Sequence, residues 1–264
     1  MDLGTAILLG VLQGLTEFFP ISSSGHLALF GTWFGVREPD LTFDILVHLA
    51  TLAAIIIYFR RDWIQLIRLL VRGEHGDLPK GIFIYLACSV IPAGLIGILA
   101  KDQVTQFHDH PAWVGICLFV TGTALLLGLR LGKEGKSFEE MPWAVVVFMA
   151  LAQALAILPG ISRAGATIMT ALFLGMDRFA AARYSFLMAV PVIAGAGLLT
   201  LIDLFRKAET VSNDAWLAYG VGSLAAIGAG FFALVFLMRF LEGKRFFYFG
   251  FYCFVLGFIA LLTG

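Results

Sequence analysis

The chain has 264 residues, 60% of them apolar and only 14% charged, against about 25% charged in an ordinary soluble domain. With a mean hydropathy of +0.92 it lacks the polar surface to cover a water-soluble fold. Eighteen basic residues balance eighteen acidic ones, which excludes both the basic excess a nucleic-acid partner demands and a solvated charged tail.

The N-terminus, MDLGTAILLG, carries no basic n-region and no small-residue cleavage site, so the first apolar segment is expected to be retained. Region 3–36 is too long for one helix and is interrupted by Pro20 and a serine cluster. Proline has no backbone donor and disfavours helix at the residue before it, so the region reads as helix–break–helix. Stretches 43–59, 81–100 and 112–129 follow, each near the roughly 17–25 residues that cross a hydrocarbon core. Region 141–176 is broken in its turn at Pro159-Gly160, and stretches 184–202, 215–238 and 246–264 complete the chain. The arms of the two broken regions, about 13–17 residues each, are too short to span and suit re-entrant hairpins buried in protein. Cys88, Cys117 and Cys253 lie apart in apolar stretches without a CxxC pair and read as buried thiols.

The loops give orientation. Regions 60–80, 130–140, 177–183 and 239–245 hold thirteen of the eighteen basic residues. The alternate side holds Arg37, Lys101, Arg206 and Lys207, and Arg163 alone remains inside a broken region. The positive-inside rule puts the first set in the cytoplasm and both termini outside. The first hairpin then enters from outside and the second from the cytoplasm. The expected fold is an all-α polytopic membrane protein, a single domain over 1–264. It has six transmembrane helices plus two broken re-entrant hairpins, arranged as an inverted-topology repeat of 1–133 and 134–264. At an offset of 140, Gln13, Leu15, Ile21, Ser22, Gly25 and Gly35 meet identical residues at Gln153, Leu155, Ile161, Ser162, Gly165 and Gly175, and the two breaks align.

The breaks carry the chemistry. The first reads QGLTEFFPISSSGHLAL. Gln13 and Glu17 are four apart and share a helix face. A carboxylate deep in an apolar hairpin is costly and marks a functional site by default. After Pro20, Ser22, Ser23 and Ser24 can cap the next helix, and His26 falls on its first turn. A helix start offers free N–H groups and the positive end of a dipole, a seat for phosphate. The second break reads ALAQALAILPGISRAGATIMT. Gly160 allows a sharp turn, Ser162 can cap, and Thr167 shares a face with Arg163, whose donor fork matches phosphate oxygens. Superposing the halves brings both helix starts together, with Glu17 expected to pair with Arg163 in the empty site. An anion site in apolar surroundings implies a phosphate-bearing lipid, and the serine–histidine–carboxylate set implies hydrolysis.

QGLTEFFPISSSGHL resembles the E/Q-xxx-E motif and following Pro-x-Ser-Ser-x-Gly-His segment of the undecaprenyl-diphosphate phosphatase (bacitracin resistance) family. LPGISRAGATI resembles that family's Pro-Gly-x-Ser-Arg-x-x-x-Thr motif, and GMDRFAAARYSFLMAVPVIAGA is similar to the sequence after it. The resemblance implies a bacterial inner-membrane hydrolase with its site opening outward. It would convert undecaprenyl diphosphate to the monophosphate carrier for peptidoglycan synthesis, and meet bacitracin only through the substrate that bacitracin sequesters. It also implies a divalent cation, Mg²⁺ or Ca²⁺. By position Gln13 and Glu17 occupy the first motif, with Glu17 as metal ligand or base. Ser22, Ser23 and His26 occupy the second, and Ser162, Arg163 and Thr167 the third. The neutral Gln13 is a poorer metal or proton ligand than a glutamate. Ser23 is read as nucleophile or as phosphate-binding hydroxyl, and His26 as proton-transfer partner. Arg163 is read as charge stabiliser, and Gln13, Ser22, Ser162 and Thr167 as substrate contacts. The 29 glycines suit close helix contacts within one chain or in a homodimer. A transporter or flippase of a phosphate-bearing lipid is the second reading, because broken helices in inverted repeats also build transporters.

Overall fold

A computed structural model describes residues 1–34, 41–99, 107, 110–128, 135–207, 213–243 and 245–264. Arg37, Lys101, Arg130, Lys133, Lys244 and Gly35, used above for topology and internal alignment, lie outside these residues. Among the described residues the fold is helical throughout, without a strand. The first broken region forms α1 (Leu3–Phe18) and α2 (Ser23–Phe34). Asp2 caps α1 by accepting from Thr5 N–H at 3.0 Å, and Pro20 ends it by holding Phe19 in extended geometry. Then come α3 (Leu41–Tyr58), α4 (Arg60–Arg72), α5 (Ile82–Leu99) and α6 (Pro111–Leu127). The second broken region forms α7 (Trp143–Leu155) and α8 (Arg163–Phe173). The chain closes with α9 (Arg178–Lys207), α10 (Asn213–Leu241), a 3₁₀ turn (Arg245–Tyr248) and α11 (Phe249–Thr263).

Among the described residues, four helical stretches are long and apolar enough to cross a membrane: Ile82–Leu99, Arg178–Ile202, Ala215–Leu241 and Arg245–Thr263. A fifth pairs Thr42–Tyr58 with Arg60–Arg72, bent by 78° between them. The protein is therefore a multi-pass membrane protein. The predicted span 112–129 is an apolar helix of 17 residues, at the lower limit of spanning length.

The basic loops gather at one end. Arg183, in the first turns of α9, binds Asp62 of α4 and Asp77, the latter at 2.9 Å. Lys136 pairs with the chain at Gly175 and Asp177, and Arg178 donates to Gly243 O. The far end joins the last turn of α2 to the end of α11 through Trp33 Nε1–H to Thr263 Oγ1 at 2.9 Å. α7 thus starts, and α8 ends, among the basic loops, whereas α2 ends at the opposite face.

Two kinds of close packing set the interior. α1 lies along α10, with Gly10 against the backbone of Gly222, and α7 lies along α5. α6 and α11 cross on paired glycines. A Cβ added to Gly115 would lie 2.8 Å from Gly257 O, and one on Gly257 2.9 Å from Gly115 O. One on Gly122 would lie 2.9 Å from Gly250 O, and one on Gly250 2.8 Å from Gly122 O. Small residues let helix backbones approach where lipid supplies no hydrophobic drive to associate. The three cysteines are free, and Cys253 is fully buried.

Candidate active site

The two breaks touch. Ser22 adopts φ +69°, a left-handed geometry that costs a non-glycine residue about 1 kcal/mol or more. It is held there by hydrogen bonds at both its hydroxyl and its carbonyl. Its Oγ accepts from Gly160 N–H at 3.0 Å and from Gly25 N–H at 3.3 Å, and its carbonyl meets His26 Nδ1 at 2.7 Å. On the other side, Gly160 has φ +97°, and any Cβ there would lie 2.4 Å from Val114 O. Thr121 of α6 ties this break shut: its hydroxyl donates to Gly160 O at 2.9 Å and accepts from Ser162 N–H at 3.1 Å. Ser162 Oγ caps α8 by accepting from Gly165 N–H at 3.1 Å. On α11, Cys253 Sγ reaches Pro20 O at 3.8 Å.

This junction sets two helix starts beside a buried carboxylate. Glu17, on the last turn of α1, has a side chain only 7% exposed. Arg163 Nη2 donates to Glu17 Oε1 at 2.7 Å, as the sequence predicts. Ser23 Oγ–H donates to Oε2 at 2.7 Å, and Gln13 Nε2–H donates to the same oxygen at 3.2 Å. Both carboxylate oxygens are thus engaged. Arg163 also reaches Ser185 O at 3.5 Å and lies over the Phe186 ring, 5.7 Å from its centroid. A buried ion pair of this kind is stable only as a pair, since removing one partner costs about 3–5 kcal/mol.

Four of the eight predicted residues, Gln13, Glu17, Ser23 and Arg163, therefore meet directly. The other four surround them. Ser22 and Ser162 spend their hydroxyls on the breaks themselves. Thr167 bonds Ser185 Oγ at 2.6 Å and donates to Arg163 O at 2.8 Å, which fixes α8 against α9. His26 turns toward α11. A carbonyl can only accept, so Nδ1 carries the proton on the Ser22 side, and Nε2 meets Tyr252 OH at 2.7 Å. The imidazole makes no bond to Glu17, Ser23 or Arg163.

Sequence reasoning missed Thr121, Ser185, Tyr252 and His48. The first three are polar groups within apolar helices, a signal that was visible without naming their partners. His48 of α3 is held by Asp44, with Nδ1 2.8 Å from the Asp44 carbonyl and 3.4 Å from its carboxylate.

Gln13 Oε1 is buried without a partner. With Glu17 and Ser23 it forms an oxygen donor set, the kind that hard divalent cations take. Among the described residues no three His, Cys, Asp or Glu side chains cluster as metal ligands.

The sequence profile of the bacitracin resistance protein BacA family matches residues 6–259. An undecaprenyl-diphosphatase of Halothermothrix orenii is 37% identical over 262 residues, covering 99% of this chain and 98% of its own. One from Desulforapulum autotrophicum is 39% identical over 279 residues, covering 100% and 99%. One from Methanobrevibacter smithii is 35% identical over 275 residues, covering 99% and 98%.

Proposed function

The chain belongs to the bacitracin resistance protein family, and on that premise we propose that it removes the terminal phosphate of undecaprenyl diphosphate. The product is the monophosphate carrier lipid of peptidoglycan synthesis, and its regeneration counters bacitracin, which sequesters the diphosphate. The relatives are named for hydrolysis, which favours this reading over transport. The observation that carries it is the convergence on Glu17: a serine hydroxyl on one carboxylate oxygen and an arginine fork on the other.

In this mechanism Arg163 shifts part of its fork from Glu17 to the incoming phosphate oxygens, where it offsets charge in the transition state. The N–H groups of the first turns of α2 and α8 face the same anion. Ser23 Oγ attacks the terminal phosphorus while its proton passes to Glu17. The bond from phosphorus to the bridging oxygen breaks, and Glu17 returns the proton as the lipid monophosphate leaves. Water then cleaves the phosphoserine, with Glu17 taking its proton and Ser23 recovering one. His26 serves as a positioning residue, holding the Ser22 carbonyl and through it the start of α2. Gln13 and Glu17 would hold Mg²⁺ or Ca²⁺. Such a cation supplies charge neutralisation on the diphosphate.

The topology is part of the proposal. Six spans and two re-entrant hairpins form an inverted repeat, with the basic loops in the cytoplasm of a bacterial inner membrane and the site opening outward. Three features support it. The packing of α1 on α10 is repeated by α7 on α5, and that of α3 on α10 by α9 on α5. The hairpins enter from opposite ends and meet at their breaks. The basic loops share one end.

Phosphate release from undecaprenyl diphosphate by purified protein in detergent, without any gradient, tests the function. Release that stops with EDTA, returns with Mg²⁺ and is lost in Ser23→Ala is the expected result. Substrate labelled in its terminal phosphate should leave label on Ser23 in an acid-quenched digest. Full activity in Ser23→Ala would move the attack to water.

A further inference from the structure

α4 divides its surface into three faces. One is pinned to the protein: Asp62 and Leu66 are buried, Asp62 holds Arg183, and Trp63 and Leu69 pack on the main core. The second is apolar beyond Arg60, which opens the helix and donates back to Ile57 O: Ile64, Ile67, Leu70 and Val71 are exposed, Leu70 at 73% and Val71 at 74%. The third is cationic. Arg61, Arg68 and Arg72 recur at intervals of seven and four, which puts them on one stripe of the helix, between the pinned and apolar faces. All three are exposed, and none has an ion pair or hydrogen bond among the described residues. The helix leaves α3 at 78°, so it runs roughly across the direction of the preceding span. Gly73, at φ +71°, stops it with its N–H on Leu69 O.

We propose that α4 lies in the membrane interface as a binding surface for anionic phospholipid headgroups, seated on Arg61, Arg68 and Arg72. A helix with one face in acyl chains and a basic face at headgroup level is the form that interfacial helices take. Arginine complements lipid phosphate through a planar donor fork, and its weak hydration suits a half-wet site. The Asp62–Arg183 bond fixes the rotation of α4, so the basic stripe meets the headgroups of the leaflet on the basic-loop side. That bond also ties the surface to α9, two residues before Ser185, which holds Arg163 and Thr167. The proposal rests on the membrane-spanning fold and stands apart from the hydrolytic reading.

The test uses the full-length protein in nanodiscs of equimolar phosphatidylglycerol and phosphatidylcholine, with retained lipid counted by native mass spectrometry. The wild type should retain phosphatidylglycerol preferentially. The triple variant Arg61→Gln/Arg68→Gln/Arg72→Gln should lose that preference by roughly fivefold per arginine. Lys80→Gln/Lys136→Gln/Arg245→Gln, with the same charge loss on the same end, should keep it. Equal loss in both triple variants, or none in the first, overturns the proposal. A second measurement reads the depth of each face in the bilayer instead of lipid retention: spin labels at Ile67→Cys and Arg72→Cys. Oxygen should reach the first better and a water-soluble nickel chelate the second. Equal chelate access at both sites would place α4 in water and end the proposal.

Discussion

Arg163 performs three tasks that a point charge cannot share. One nitrogen bonds Glu17, another reaches Ser185 O, and the flat guanidinium lies over Phe186. Lysine would keep the charge and lose the fork. Arg163→Lys should therefore lower kcat by about 10²–10³, the cost of losing one electrostatic donor to the transition state. Arg163→Ala should add a stability loss of about 3–5 kcal/mol, because Glu17 stays buried without its partner. Steady-state phosphate release and thermal unfolding in detergent separate the two effects, and near-normal turnover in either variant would remove Arg163 from the site. Glu17 and Arg163 were legible in the sequence because an isolated charge inside an apolar hairpin has few structural excuses. The serine cluster was legible from its place after Pro20, and only the family resemblance singled out Ser22 and Ser23 within it. Ser185 was not, since one hydroxyl in an apolar helix reads as an ordinary residue until Thr167 and Arg163 are seen against it. His26 was visible, but its direction toward Tyr252 depends on where α11 packs.

The elements that make the site are the two breaks, and each is closed by a helix remote in sequence. Pro20 and Pro159-Gly160 announce the breaks locally. Thr121 does not announce itself, because its bonds to Gly160 O and Ser162 N–H exist only once α6 packs on α8. Thr121→Val keeps the shape and removes both bonds, leaving a buried carbonyl and a buried N–H without partners. Such groups cost about 1–3 kcal/mol each. The unfolding midpoint should fall by several degrees, and kcat should fall with it, since Ser162 caps the helix that begins with Arg163. Thr121→Ser, which keeps the hydroxyl, should restore most of both. An unchanged midpoint in Thr121→Val would show that the second break closes without α6. The bend from α3 to α4 was equally hidden: arginines in 60–72 read as loop charge, while the apolar residues between them form a helix pinned by Asp62.

At the scale of the whole molecule, the glycine crossing of α6 and α11 bears on the proposed repeat. In both helices the two glycines are seven apart: Gly115 and Gly122, Gly250 and Gly257. A two-fold axis exchanging the halves would superpose Gly115 on Gly250 and Gly122 on Gly257. The contact of Gly115 with Gly257 would then map onto that of Gly250 with Gly122. The clearances follow this pairing. A Cβ on Gly115 or on Gly250 would stand 2.8 Å from the facing carbonyl, and one on Gly122 or on Gly257 would stand 2.9 Å from it. All four distances are too short for a methyl group against backbone, so each alanine must push the helices apart. The symmetry argument makes the costs pairwise. Gly115→Ala and Gly250→Ala should lower the unfolding midpoint by similar amounts, and Gly122→Ala and Gly257→Ala likewise, by an overpacking cost of about 1–3 kcal/mol each. Because the crossing helices also close the two breaks, through Thr121 on one side and Cys253 on the other, activity should fall in all four variants. The four proteins can be compared by fluorescence-detected unfolding in one detergent. A large loss from the α6 glycines with none from those of α11 would mean that the crossing lacks the two-fold relation, and that the halves are joined by ordinary packing.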